Sequence, residues 1–170
     1  MSQFTDRMIR AAKLDVNLYE EVEADKSALK QAMGVVVLSS IAMGIGRMGV
    51  GGGMSLIMGI IASLIGWFVW AYITYFIGVK ILPEPQTRAD HGQLLRTIGF
   101  SSSPGILRVF AIIPGFWHIV NSVVSVWTLS AMIIAVRQAL DYKSTMRAVG
   151  VCIIGWFAQT LLLAVMFVLF

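Results

Sequence analysis

Apolar residues are concentrated in four long runs that short polar loops separate. The runs cover residues 31–48, 54–79, 116–136 and 147–170. Each is close to the ~20 mostly apolar residues that an α-helix needs to cross the hydrocarbon core of a bilayer. The pattern therefore predicts four uninterrupted transmembrane helices.

A further apolar stretch, residues 92–115, is broken in its middle. Residues 101–105 read Ser-Ser-Ser-Pro-Gly, and Arg108 follows among apolar neighbours. Ser103 is a favourable N-cap residue and Pro104 a favourable first helical residue, so a short second helix is predicted to begin at Pro104. We interpret the whole stretch as a broken third span.

The distribution of Lys and Arg favours five spans over four. With five spans and a cytosolic N-terminus, eleven of the thirteen basic residues face the cytosol, whereas four spans place nine there. Loops rich in Lys and Arg usually stay on the cytosolic side. The predicted fold class is an all-α, five-span transmembrane bundle with a broken third span, its N-terminus inside and its C-terminus outside.

The composition agrees with an integral membrane protein. Hydrophobic residues make up 58% of the chain and charged residues 13%, which is too little charge for the surface of a soluble domain. The basic residues lie in short loops between apolar runs and form no soluble patch, so binding of nucleic acid is not expected.

The N-terminal part has a different character. Residues 1–30 are predicted to form a cytosolic tail ahead of a membrane domain at residues 31–170. Apolar side chains share one side of residues 1–14, with basic side chains on the flanks. This pattern is typical of an amphipathic helix on the membrane surface, and a solvated tail is the alternative. The acidic segment 18–25 either binds a cytosolic protein or is a solvated connector.

Three short motifs occur in a characteristic order. Asn17-Leu18-Tyr19 precedes the first span, and Gly99-Phe100-Ser101 with Pro104 lies in the broken stretch. Around the last two spans the motif residues are Trp127, Arg137-Gln138-Ala139-Leu140 and Arg147-Ala148. In this order the motifs resemble the bacterial branch of the Yip-one domain family, the Ypt/Rab-interacting integral membrane proteins. The family's corresponding elements are Asp-Leu-Tyr and Gly-Tyr-Ser…Pro.

The chain also departs from that family pattern. Asn17 replaces the family's acid, and Glu20-Glu21 stands where eukaryotic members have Gly-Pro. The resemblance implies a helical membrane fold and a multi-pass location in the bacterial plasma (inner) membrane, with no established reaction. Eukaryotic relatives are associated with vesicle traffic and prenylated Rab GTPases. A bacterium lacks that pathway, so this role is not expected of the chain.

The broken stretch is the leading candidate for a specific site. Its candidate lipid- or anion-binding residues are Ser101, Ser102, Ser103, Pro104 and Arg108. Free N–H groups at a helix N-terminus attract anions, and Arg108, one turn further on, adds a positive charge. No Asp or Glu lies in a predicted span, so the phosphate of an anionic phospholipid is the predicted partner. The alternative is that Arg108 snorkels to the outer interface.

The fourth span carries a polar stripe at helical spacing. Its members are His118, Asn121, Ser122, Ser125 and Thr128, and Gln159 in the last span is their simplest partner. Within hydrocarbon such a face points to other helices or to a water-filled cavity. The stripe is therefore either a polar path for a headgroup or small solute, or a set of hydrogen bonds between helices.

No catalytic or metal-binding motif is recognisable, so we expect no enzyme activity, cofactor or metal. The leading interpretation is a non-enzymatic protein that organises the membrane or binds partner proteins, with anionic lipid contact. The alternative is a small transporter or lipid scramblase that uses the polar stripe. Small residues on the first two spans, such as Gly44, Gly59 and Gly66, also suit self-association as a homo-oligomer.

Overall fold

The chain is all-helical over residues 2–48 and 56–169, the part that the computed structural model describes. Its α-helices are α1 (Gln3–Ala12), α2 (Val16–Ala24), α3 (Ala28–Met48), α4 (Leu56–Tyr75), α5 (His91–Ser101), α6 (Trp117–Ala139) and α7 (Thr145–Leu169). A π-helical segment, Phe76–Ile81, continues α4, and a 3-10 helix, Ser103–Ile112, follows α5.

Four helices of the described part are long and apolar enough to cross a membrane. They are α3, α4 with its π-helical extension (Leu56–Ile81), α6 and the first part of α7 (Thr145–Leu162). Their outer faces carry large exposed apolar side chains, among them Ile61, Phe68 and Val126. These four helices match the four uninterrupted runs of the sequence. The predicted start of the second run at residue 54 and the end of the last at residue 170 lie outside the described residues.

The predicted break at residues 101–105 is present. α5 has 11 residues and the 3-10 helix has 10, so neither is long enough to cross a bilayer alone. The predicted helix start was wrong in two respects, since the second helix is of the 3-10 type and its N-cap residue is Ser102. The Ser103 hydroxyl donates instead to the Phe100 carbonyl oxygen at 2.7 Å. Because this hydroxyl binds the preceding turn, it does not cap the following one.

α3 and the broken stretch run side by side in the same direction. Taken along α3, the facing pairs are Ala32 with Gly99, Ser39 with Gly105, and Gly46 with Arg108. A Cβ on Gly99 would lie 2.7 Å from the Ala32 Cβ, so the two helices pack this closely only because residue 99 is glycine. Residues 32 to 46 of α3 cover about 21 Å at 1.5 Å per residue. The broken stretch therefore accompanies most of a membrane-length helix.

The loops after α4 and after α6 meet at one end of the bundle. The Tyr142 hydroxyl donates to the Leu82 carbonyl oxygen at 2.7 Å. Glu84 and Arg147 form an ion pair at 3.3 Å. A hydrogen bond from the Lys143 backbone, with Arg147 close by, lowers the pKa of Glu84. α4 and α6 therefore end, and α7 begins, on the same side.

α1 and α2 are part of the packed structure. Leu18, Tyr19 and Val22 on α2 are fully buried, so the interpretation of this segment as a solvated connector is wrong for its apolar side. The Arg7 side chain is 3% exposed and forms ion pairs of 2.8 Å with Glu21 and with Asp25. The first fourteen residues contain the predicted helix, and its contacts contradict the alternative of a solvated tail.

Three further hydrogen bonds, from two side chains, fasten these helices to the bundle. The Arg96 guanidinium of α5 donates to the carbonyl oxygens of Val22, at 2.9 Å, and of Glu23. A cation at the C-terminal end of a helix is stabilised by the helix dipole. On α6, the Trp127 indole N–H donates to the Ala12 carbonyl oxygen at 2.7 Å. Arg96 and the family-motif residue Trp127 thus hold the N-terminal helices in place.

Candidate functional site

A polar cavity of about 320 Å³ lies inside the bundle, between α3, α4, the broken stretch, α6 and α7. Its polar lining residues are Ser39, Ser40, Ser63, Ser102, Arg108, Thr128 and Gln159. Apolar and aromatic residues, including Trp67 and Trp70, complete the wall. Most of the polar residues belong to helices of membrane-spanning length, so the cavity lies between these helices, and it is partly open to the surroundings.

Arg108 supplies the positive charge of the cavity. Its Nε donates to the Asn121 Oδ1 at 3.4 Å and its Nη2 to the Ser125 Oγ at 3.3 Å, both long for charge-assisted hydrogen bonds. It forms no ion pair with any described residue. Nη1 lies 3.0 Å from the place that a Cβ on Gly105 would occupy. The guanidinium therefore turns back toward the break and retains donor capacity.

The serines of the break have separate positions. Ser101 and Ser103 are buried, and their hydroxyls donate at 2.7 Å to the carbonyl oxygens of Ile98 and Phe100. Ser102 lines the cavity, and its carbonyl oxygen accepts a 2.6 Å hydrogen bond from the Ser39 hydroxyl. Pro104 is buried in the first turn of the 3-10 helix. Of the predicted anion-binding group, only Ser102 and Arg108 line the cavity.

The polar stripe of α6 divides in the same way. Asn121 and Ser125 contact Arg108, while Thr128 lines the cavity and its buried Oγ1 has no hydrogen-bond partner among the described residues. His118 and Ser122 are exposed and are absent from the lining. From α7, Gln159 lines the same cavity as Thr128 of the stripe.

Several cavity residues were not recognised as site residues in the sequence. Ser63 and Ser40 both line the cavity and are hydrogen-bonded to each other at 3.0 Å. Trp67 is 9% exposed, and its indole N–H donates to the Leu95 carbonyl oxygen at 3.1 Å. A Cβ on Gly66 would have no neighbour within 4 Å, so this glycine leaves the cavity open. The signal for these cavity residues that was available in the sequence was the presence of serines and tryptophans within the predicted spans.

Leu18 and Tyr19 of the first family motif, and Gly99 and Phe100 of the second, are structural residues. Leu18, Tyr19 and Phe100 are fully buried in the main core. Gly99 permits the close contact with α3. Burial also raises the pKa of the Tyr19 hydroxyl, whose one hydrogen bond, to the Ala11 carbonyl oxygen, is long at 3.4 Å. These residues position the break and the N-terminal helices and do not line the cavity.

Glu23, near the C-terminal end of α2, has a perturbed carboxyl group. Its buried Oε2 has no hydrogen-bond partner among the described residues. Burial, followed by the negative charge of Asp141, raises the pKa of Glu23 to about 7. Glu20 and Asp90 act in the same direction, and Arg96 opposes them. Glu23 therefore changes its charge near neutral pH.

The ion pairs of α1 have the opposite pH dependence. Hydrogen bonds from Ser27 and then Arg7 lower the pKa of Asp25 to about 2. Hydrogen bonding to Arg10 lowers the pKa of Glu21. Carboxylates with lowered pKa values stabilise the folded state above their unfolded pKa, and this contribution is lost on acidification.

In the described residues no group of three or more His, Cys, Asp or Glu side chains is arranged to hold a metal ion.

Long apolar helices around a polar interior define a multi-pass α-helical membrane protein. The chain belongs to the Yip1 domain family, whose family model matches residues 23–167. The match begins at the end of α2 and covers both halves of the broken stretch and most of α7. This confirms the family that the motifs indicated, and the Asn17-Leu18-Tyr19 motif precedes the matched residues. No curated protein and no solved structure matches the chain.

Proposed function

We propose that this protein is a non-enzymatic, five-span protein of the bacterial inner membrane that binds the phosphate of an anionic lipid in its polar cavity. Through this lipid contact it organises the membrane around it or the partner proteins that it binds. The observation that carries the proposal is the charge of Arg108, which faces a polar cavity without a carboxylate from the described residues. Arg108 is partly buried, and removal of a cation from water is costly unless an opposite charge compensates it.

The direction of the Arg108 side chain supports lipid binding over snorkelling. A snorkelling arginine extends along the helix to reach the interface. Arg108 instead bends toward Gly105 and shares the cavity with Ser102. Its two hydrogen bonds to neutral groups, at 3.3 and 3.4 Å, satisfy few of the five guanidinium donors. A phosphate would accept the remaining donors.

Native mass spectrometry of the purified protein tests this proposal. Wild type should retain anionic phospholipid, and Arg108→Leu should lose it. Arg47→Leu is the matched control, because Arg47 is an exposed basic residue at the end of α3 and lies outside the cavity lining. Equal lipid retention by wild type and Arg108→Leu would refute the headgroup site.

Two contacts support the count of five spans, and the distribution of Lys and Arg supports the cytosolic N-terminus. The broken stretch runs parallel to α3, as alternate spans of an up-and-down bundle do. The loops at Gln86 and Asp141 also touch, through a 3.0 Å hydrogen bond, whereas four spans would put them on opposite sides of the membrane. In a Cys152→Ser background, Lys143→Cys should resist an impermeant thiol reagent in intact cells and react in inverted vesicles. Labelling in intact cells would exclude this topology.

The second candidate function is a small transporter or lipid scramblase. The observation that favours it is that Thr128 lines the cavity, while Asn121 and Ser125 of the same helix accept hydrogen bonds from the cavity residue Arg108. A path requires hydration along this line. Each residue changed to cysteine should then react with a polar thiol reagent, and lipid flux should appear in liposomes. Lack of reaction at all three positions would leave lipid binding without transport.

A further inference from the structure

A second cavity adjoins the polar one. It is an apolar groove of about 410 Å³ between α4, α6 and α7. Its lining residues are Trp70, Leu129, Ile133, Val149, Cys152, Ile153 and Trp156. Both volumes fall within the ~300–1,000 Å³ typical of small-molecule sites. The groove differs from the polar cavity in having no charged or hydroxyl side chain in its lining.

Trp70 belongs to the walls of both spaces. Its indole N–H donates to the Met132 sulfur at 3.3 Å, and Met132 lines the polar cavity. On the other side, a Cβ on Gly155 would lie 3.2 Å from the Trp70 ring, so α7 packs directly against the indole. The ring therefore stands where the two spaces meet.

Residues 128–133 of α6 lie between the polar cavity and the groove. Thr128 and Met132 line the polar cavity, while Leu129 and Ile133, each one residue further on, line the groove. Successive residues of an α-helix are rotated by about 100°, so the same helical turns present a polar face to one space and an apolar face to the other. The two spaces lie side by side at the same depth of the bundle.

We propose that the cavity and the groove form a single site for one amphiphile, with an anionic phosphate headgroup at Arg108 and one acyl chain in the groove beside Trp70. This inference rests on the proposed function and specifies its ligand. The shared wall at Trp70 selects the occupant, because a chain attached to a headgroup in the cavity has the groove as its adjacent apolar space. Ligand sites of this kind combine an apolar wall with a few convergent polar groups.

Photocrosslinking of a defined lipid tests the two-part site. The probe is a monoacyl glycerol phosphate with a diazirine in its acyl chain, incorporated with the full-length protein into phosphatidylcholine nanodiscs. We expect crosslinks to concentrate on groove residues such as Leu129 and Ile133. Arg108→Leu should reduce them about tenfold, equivalent to about 1.4 kcal/mol.

Adjacent residues of α7 provide a matched pair of variants. Ile153 lines the groove, and Ile154 does not, although both are exposed. Ile153→Trp should fill the groove and remove the crosslinks, whereas Ile154→Trp should leave them unchanged. Ile153→Phe is a milder second variant if the indole lowers the thermal stability of the protein in detergent. Unchanged groove crosslinking in Ile153→Trp would overturn the inference.

The outcomes separate this inference from the proposed function. If Arg108→Leu abolishes lipid retention but the wild-type crosslinks spread over all lipid-facing sides of α4 and α7, the headgroup site stands and the groove is excluded. If Arg108→Leu retains lipid, both fail. Chainless glycerol phosphate and inorganic phosphate, at the concentration of the probe, should not displace it. Displacement by either would identify a free phosphate as the ligand and refute the acyl-chain site.

Discussion

The contact between α3 and α5 permits a quantitative prediction. Gly99→Ala adds a Cβ at 2.7 Å from the Ala32 Cβ and 3.1 Å from the Ala32 carbonyl oxygen. Nonbonded carbon atoms prefer about 3.5–4.0 Å, so the two helices must separate by roughly 1 Å. Overpacking of this kind costs about 1–3 kcal/mol. The separation also stretches the hydrogen bond from the Ser39 hydroxyl to the Ser102 carbonyl oxygen, now 2.6 Å.

A second glycine isolates this cost from helix propensity. Alanine is favoured over glycine in a helix interior by about 1 kcal/mol. At Gly150, in α7, an added Cβ has no neighbour within 4 Å, so Gly150→Ala should show the propensity gain alone. Gly99→Ala should be less stable than Gly150→Ala by about 1–3 kcal/mol.

The assay is reversible unfolding in mixed micelles, followed by tryptophan fluorescence. Gly99→Ala should unfold at a lower denaturant concentration than wild type or at the same one, and Gly150→Ala at a higher one. The loss of stability in Gly99→Ala should be accompanied by weaker lipid retention, since α5 leads directly into the break. Equal stabilisation by both substitutions would show that α3 and α5 are not in close contact. In that case α5 would not belong to a third span beside α3.

Three further predictions concern the cavity and the N-terminal helices. Gly66→Leu should fill the polar cavity and reduce anionic lipid retention, measured by native mass spectrometry, whereas Gly59→Leu, which also has open space but lies outside the cavity lining, should not. Because the folded-state pKa of Glu23, about 7, exceeds the ordinary glutamate value of 4.5, its contribution to stability is complete below about pH 4.5 and is lost as pH rises through 7. Hydrogen exchange of α2, corrected for intrinsic rates, should therefore increase from pH 6 to pH 8 in wild type and much less in Glu23→Gln. Equal increases in the two proteins would refute the assignment of this pH dependence to Glu23. Arg7→Met should destabilise the protein by roughly 1–3 kcal/mol, because it removes a 3%-exposed partner of two carboxylates. Arg10→Met should destabilise it by less than about 1 kcal/mol, because Arg10 is 29% exposed. Thermal unfolding in detergent measures both effects, and equal destabilisation would contradict the assigned burial of Arg7.

The N-terminal helices show where local patterns mislead. The acids of α2 indicated a solvated connector, yet Arg7 and Arg96 come from distant parts of the chain to neutralise its carboxylates or bind its carbonyl oxygens. The burial of Leu18 and Tyr19 depends on α5 and α6, which follow much later in the sequence. Their burial was therefore not readable from segment 18–25 alone.

The sequence by itself determined the four apolar helices of membrane length, the break at residues 101–105 and the family. These features are local, since hydrophobic length and the combination of Ser102, Ser103 and Pro104 act within a few residues of the chain. The tertiary structure alone decided which polar groups share a cavity. Asn121 meets Arg108 and His118 does not, although both lie on the same stripe, because the rotation of α6 against its neighbours selects one edge. Ser39 and Trp70 join that cavity for the same reason, since helix packing brings together residues that no sequence spacing connects.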